Sequence, residues 1–167
     1  DAAKQFSNAD WVPQTMQGRL LSDQDGTKVL GQYAYMRKET HINFFTTNQP
    51  ASSFETDRAG FLGNHEYTTW GQPHSLQNDE LSNYETHRGD NIAALMHHLK
   101  GIKDGASRRI VVQLGQIDSK EAAASVIEKF RSEAEVDAAF SQLKAYWKAR
   151  LGKMQVETPD PSMNSML

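Results

Sequence analysis

The feature that most constrains this chain is a change of texture near residue 116. Before it, aromatic residues, glycines and turn dipeptides recur at short intervals; from 118 to 152 the chain is rich in Ala, Glu and Lys. Short apolar-alternating runs closed by turn residues build sheets, and long runs of strong helix formers build helices. The sequence therefore predicts a β-rich part followed by helices.

The β-rich part is readable run by run. Thr15 to Ser22 is a candidate strand closed by Asp23-Gln24-Asp25-Gly26, whose Asp-Gly pair is a strong hairpin signal. Thr27 to Met36 follows, with Val29, Tyr33 and Tyr35 on one side. His41 to Thr47 alternates Ile42, Phe44 and Thr46 before Asn48-Gln49-Pro50 ends it. Thr56 to Gly63 reads as a short turn of helix, with Thr56 as cap, Asp57 in the first turn and Gly63 as terminator. Asn64 to Asp90 loses periodicity and is rich in Asn, Gln, His and Tyr, a structured loop. At 92–99 two readings compete. Ile92, Leu95, Met96 and Leu99 fit a helix behind Asp90 and also a buried strand; periodicity alone favours the helix.

The helical part carries sharper signals. Asp118 or Ser119 caps a helix with Val126, Ile127 and Phe130 on one face. Ser132-Glu133-Ala134-Glu135 is a capping box. Behind it Val136, Phe140, Leu143 and Trp147 form an apolar stripe, read as core packing, that ends at Gly152. A third helix start follows at the end, with Asp160 as cap, Pro161 in the first turn and Met163, Met166 and Leu167 beginning an apolar face. The chain opens on neither an initiator Met nor a signal-peptide apolar region, and is expected to be the interior of something longer.

Composition narrows the function. Lys and Arg number 18 against 21 Asp and Glu, a formal charge of −3, which argues against nucleic acid as partner because a phosphate-tracking surface needs a basic excess. Cysteine is absent, so disulfides, thiolate metal sites and cysteine nucleophiles are excluded. No apolar run approaches the length of a membrane span.

Three groups of residues invite a chemical reading. His65, His74 and His87 share a loop with Glu66, Glu80 and Glu85, but none has the spacing of a zinc site, so hydrogen-bonded loop histidines are the better reading. Glu55 and Asp57 lie on one side of an extended segment, where paired carboxylates of the glycosidase kind would fit; Asp57 already has a task as a first-turn helix residue. Asp10, Trp11 and Gln14, within Asn8 to Gln14, combine an aromatic ring with a carboxylate and amides, the groups that recognise sugars; a Trp buried under a turn is the plainer reading. There is no Gly-rich phosphate loop and no G-x-S-x-G elbow.

Four runs stand in order along the chain: Phe54-Glu55-Thr56-Asp57-Arg58-Ala59-Gly60-Phe61-Leu62-Gly63, Val112-Gln113-Leu114-Gly115, Val136-Asp137-Ala138-Ala139-Phe140 and Leu151-Gly152-Lys153-Met154-Gln155-Val156-Glu157-Thr158-Pro159-Asp160. Taken together they resemble the disaccharide phosphorylases of glycoside hydrolase family 94, which include cellobiose, cellodextrin and diacetylchitobiose phosphorylases. Asp57, Arg58, Phe61 and Gly63 belong to the family motif and are expected to be structural. The resemblance implies a mainly β fold: part of an antiparallel supersandwich, galactose-mutarotase-like, over residues 1–116, then a helical linker over 117–153 and the start of the approach to an (α/α)6 barrel over 154–167. It also implies that Asn91 to Ile102 is a strand, hairpin-paired with Ala106 to Gln116.

The functional expectations follow from that resemblance. The parent would be a cytoplasmic inverting phosphorylase that splits a β-linked glucoside with inorganic phosphate as co-substrate and no other cofactor or metal. Its catalytic groups would lie in the barrel beyond Leu167, leaving this part non-catalytic. Ser7 to Trp11 lacks the arginine that the cellobiose enzymes carry in the matching segment, which leaves open cellobiose, another β-linked glucoside or an aldonic-acid disaccharide. Expected partners are the helical barrel of its own enzyme, a second copy in a homodimer and an oligosaccharide substrate, with neither nucleic acid nor membrane. The alternatives are a stand-alone sugar-binding or scaffolding sandwich and, third, a metal-dependent hydrolase built on the histidine loop.

Overall fold

A computed structural model describes residues 16–34, 41–63, 70–118, 120–153 and 157–164. The chain forms two compact units, Asp1–Arg131 and Ser132–Leu167. Among the described residues the first holds six strands in two antiparallel sheets: β1 Met16–Gln24, β2 Thr27–Ala34, β3 Ile42–Thr47, β4 Ser53–Asp57, β5 Asn91–Met96 and β6 Val112–Ile117. One sheet has the order β1-β2-β3-β6 and the other contains β4 and β5. β5 lies across β1 and β2, so the sheets stack as the two layers of a sandwich.

The hairpin expected at Asp25-Gly26 joins β1 and β2, with φ of 53° and 79° at the two turn residues. Two positive φ values in a two-residue loop are the mark of a turn whose twist matches its strands, which is why Asp-Gly is used there. In β3, Phe44 and Thr46 are buried, as the alternation predicts. Val29, Phe44 and Ile117 make a core on one face of the larger sheet, and Ile127 of helix α2 (Lys120–Lys129) completes it. Gln113 Nε2 donates to Ile127 O at 3.0 Å, satisfying a carbonyl at the end of that helix. Ser119, one of its two proposed caps, lies outside the described residues.

Residues 91–96 correct two expectations. The helix favoured by periodicity is absent: Asn91–Met96 is a strand, partly buried on both faces, so its apolar residues show no alternation. The hairpin with 106–116 is also absent. β5 pairs with β4, β6 pairs with β3, and 97–111 crosses from one sheet to the other. Sheet pairing at a distance decides both, since a short apolar run carries no label for its partner.

The second unit contains α3 (Glu133–Leu151) and the short α4 (Pro161–Asn164). Ser132 caps α3 as the capping box predicts, its hydroxyl accepting from Glu135 N–H at 3.4 Å, and Gly152 ends it. Glu133 and Glu135 open the helix and Lys148 and Arg150 close it, which suits its dipole. Asp160 Oδ1 accepts from Ser162 N–H at 2.9 Å, the expected cap of α4; Met166 and Leu167 lie outside the described residues. The core role expected for the α3 stripe is not observed. No residue of α3 is buried, and Phe140, Leu143, Tyr146 and Trp147 are all exposed. Within its unit the only other helix described is the four-residue α4, too small to cover such a stripe.

Candidate functional site

The family-motif residues stand where β4 runs into helix α1 (Arg58–Leu62). Ser53, Phe54, Glu55 and Thr56 are all buried, and three of the four are polar, an unusual share for a sandwich core. Their burial is tolerated because each finds partners in the loop 81–90.

Glu55 is 1% exposed. Its Oε1 accepts from Thr56 N–H and Asp57 N–H, both at 2.9 Å, and its Oε2 accepts from the Ser82 hydroxyl. Thr56 Oγ1 donates to Tyr84 O at 2.9 Å and accepts from Thr86 N–H at 2.8 Å. Ser53 Oγ accepts from Leu81 N–H at 2.8 Å. Asn83 exchanges bonds with Phe54, its N–H to Phe54 O at 2.9 Å and its Oδ1 from Phe54 N–H at 3.0 Å. The loop thus runs along the outer edge of β4 like an extra strand.

The same loop seals β1. Gly18 N–H donates to Thr86 O at 2.9 Å and Leu20 N–H to Glu85 Oε1 at 2.9 Å. A Cβ on Gly18 would stand 2.7 Å from Thr56 Cβ, so only glycine lets the two sheets approach here. One flank of the sandwich, β1 on one layer and β4 on the other, is closed by this stitching.

Asp57 is the N-cap of α1: its Oδ2 accepts from Gly60 N–H at 2.7 Å. The sequence placed the cap one residue earlier, at Thr56; that hydroxyl is instead engaged by the loop, and the last strand residue takes the cap. Arg58 pairs with Asp90, and its N–H donates to Asp90 O at 2.9 Å. Phe61 is half-buried, and Gly63 ends the helix at a φ of 93° with its N–H on Ala59 O at 2.8 Å. These four residues therefore build the corner.

The candidate carboxylate pair is brought together. A Cβ on Gly60 would lie 3.3 Å from Asp57 Oδ2 and 3.4 Å from Glu55 Oε2. Yet Glu55 is shut off from solvent with its oxygens occupied, and Asp57 holds a helix end. A general acid must reach a substrate proton, and Glu55 does not.

Beside the corner, Glu80 accepts from His98 Nε2 at 2.9 Å. Hydrogen bonds from Ser53, His98 and Ser52, in that order of weight, hold its carboxyl down to about 2 from an ordinary 4.5. His74 and His87 are exposed, His65 lies outside the described residues, and among the described residues no group of three His, Asp or Glu is placed to hold a metal. Asp10, Trp11 and Gln14 also lie outside the described residues. Among the described residues no helix is long and apolar enough to cross a membrane.

The loop partners Ser82, Asn83, Glu85 and Thr86 were missed by sequence reasoning, since nothing local marks a segment as a neighbour of two distant strands. Gly18 was the one available signal: an isolated glycine inside a strand pattern points to a close backbone approach.

Comparison with known proteins agrees with this architecture. The family model described as glycosyl hydrolase 94, supersandwich domain, matches residues 1–133. Among curated proteins, the N,N'-diacetylchitobiose phosphorylase of Vibrio furnissii is 28% identical over 141 residues, covering 83% of this chain and 17% of the relative. The cyclic beta-(1,2)-glucan synthase NdvB of Rhizobium meliloti is 28% identical over 124 residues, covering 74% of this chain and 4% of the relative. The chain thus spans less than a fifth of the length of either relative.

Proposed function

The chain belongs to glycosyl hydrolase family 94 through its supersandwich domain, and from that premise we propose that it is a non-catalytic part of a carbohydrate phosphorylase. The reaction is the reversible phosphorolysis of a β-linked glucoside disaccharide with inversion. A phosphate oxygen attacks the anomeric carbon while an acid supplied by the rest of the enzyme protonates the leaving glycosidic oxygen. One C–O bond breaks, one forms to phosphate, and the products are a sugar 1-phosphate and a free sugar. No cofactor beyond phosphate is required.

The observation that carries the non-catalytic role is the commitment of both motif carboxyl groups. Glu55 is buried under three hydrogen bonds and Asp57 caps α1, so each of these two carboxyl groups already has a structural task. The phosphorylase named among the relatives supports the reaction class. Asp10, Trp11 and Gln14 remain the proposed sugar contacts, and the helical remainder of the enzyme and a second copy the proposed partners, in the cytoplasm.

The test is an assay of the complete enzyme with inorganic phosphate over a panel of β-disaccharides. Phosphate-dependent release of a sugar 1-phosphate of inverted configuration is expected, with no release by residues 1–167 alone. Release by the isolated chain would overturn the non-catalytic role. Sugar binding without any phosphate-dependent product would favour a stand-alone binding or scaffolding sandwich.

A further inference from the structure

We propose that Asp104, in the crossover 97–111, is a modification site: its side chain closes on the Gly105 amide and the residue isomerises to isoaspartate. The sequence has two Asp-Gly pairs, Asp25-Gly26 and Asp104-Gly105, and no Asn-Gly pair. Both pairs carry the same local chemistry, since glycine puts no side chain in the way of an attack by its own nitrogen. The fold separates them.

The reaction is a ring closure followed by a ring opening. The Gly105 nitrogen attacks Cγ of the protonated Asp104 carboxyl. An N–C bond forms, a C–O bond breaks, and water leaves with the amide proton. Water then adds to the imide at the former main-chain carbonyl, and that C–N bond breaks. The chain thereafter runs through Cγ, one methylene longer, beside a new α-carboxylate. Nothing is oxidised or reduced, and solvent is the one co-reactant.

Ring closure needs rotation about the aspartate main chain, so what holds the two residues decides the rate. At Asp104-Gly105 little does. Residues 98 to 109 are exposed, and the pair sits in a single turn closed by Ala106 N–H to Lys103 O at 2.9 Å, with Gly105 at a φ of 74°. A Cβ on Gly105 would meet no atom within 4 Å. Among the described residues neither the Asp104 carboxyl nor the Gly105 N–H has a hydrogen-bond partner. Anchors of the crossover stand at its ends, where His97 Nδ1 meets Pro50 O at 2.9 Å and Val111 N–H donates to Asn48 Oδ1 at 2.8 Å. An added methylene between them disturbs no paired strand.

Asp25-Gly26 is held by its neighbours. Gln24 pairs with Thr27 across the turn, and the β1–β2 ladder runs on from there. Gly26 O accepts from Ala51 N–H at 2.8 Å, and a Cβ on Gly26 would stand 3.1 Å from Pro50 Cβ. Turning Asp25 onto the Gly26 nitrogen therefore requires the hairpin to open, and a paired ladder opens rarely.

The test keeps the complete polypeptide warm at neutral pH in water labelled in its oxygen and follows its peptides by mass spectrometry. Each ring opening leaves a heavy oxygen in the residue, and fragmentation tells isoaspartate from aspartate. Label and isoaspartate are expected at residue 104 at least about tenfold faster than at residue 25. In guanidinium chloride, with the fold removed, the two rates should agree within about threefold. Gly105→Ala, which sets a side chain beside the attacking nitrogen, should slow residue 104 and leave residue 25 unchanged. Slow labelling at both residues in the folded protein (a crossover that is held or covered), fast labelling at both, or a difference that persists in guanidinium chloride would each overturn the proposal. No sugar or phosphate takes part, so this outcome is separate from that of the phosphorolysis assay.

Discussion

Glu55 shows how a single buried carboxyl group is made tolerable and what that costs in reactivity. Two backbone N–H groups and one hydroxyl meet it, and the same three bonds that pin the corner leave it no free oxygen. Glu55→Ala removes all three at once and strands the Thr56 and Asp57 amides, so a loss of about 3 kcal/mol is expected in urea unfolding. Glu55→Gln keeps an acceptor for both amides and should lose about 1 kcal/mol. If Ala and Gln are equally mild, the corner is not held by this group. Glu80 belongs to the same neighbourhood and predicts a pH effect. Its folded-state carboxyl titrates at about 2, below the ordinary 4.5. A depressed carboxyl stabilises the fold above the unfolded value and loses that contribution as pH falls from 4.5 towards 2. Thermal melts of the parent and of Glu80→Gln should therefore differ most at neutral pH and converge on acidification; a difference that is constant with pH would refute the assignment.

At the scale of elements, local chemistry was legible and pairing was not. The Asp25-Gly26 turn, the alternation in β3, the Ser132 capping box and the Gly63 terminator all stand where the sequence puts them, because each is a contact within a few residues. The hairpin that the resemblance implied between Asn91 to Ile102 and Ala106 to Gln116 fails: β5 pairs with β4 in one sheet and β6 with β3 in the other. The same resemblance implied a strand over Asn91 to Ile102, and a strand stands at Asn91–Met96 where periodicity favoured a helix. Family likeness thus identified the kind of element and not its partner. The partners in 81–90 of the corner around Asp57 were not legible. A loop with no period of its own becomes ordered only by what it sits against. Asp10, Trp11 and Gln14 lie outside the described residues, so that part of the candidate site rests on sequence chemistry alone.

At the scale of the whole molecule the second unit poses the clearest physical question. α3 is a 19-residue helix without a buried residue, and helices of that kind are marginal in water on propensity alone. Its apolar side chains are exposed along its length, from Phe140 at 67% to Leu151 at 67%, a surface that soluble monomers rarely leave bare. Trp147 is 47% exposed and meets Tyr146 edge-on with ring centroids 5.4 Å apart. Burial in a core would make Trp147→Ala cost about 3–5 kcal/mol. At half exposure, in residues 1–167 alone, amide exchange of α3 should change by no more than about 1 kcal/mol, the share of the ring's area that this helix itself removes from water. If the proposed helical remainder of the enzyme covers this stripe, the same substitution in the complete polypeptide should approach the cost of a buried aromatic. A small effect in both settings would mean that the stripe faces water throughout and packs on no neighbour. A large effect in the isolated chain would mean that the stripe is already covered within these residues.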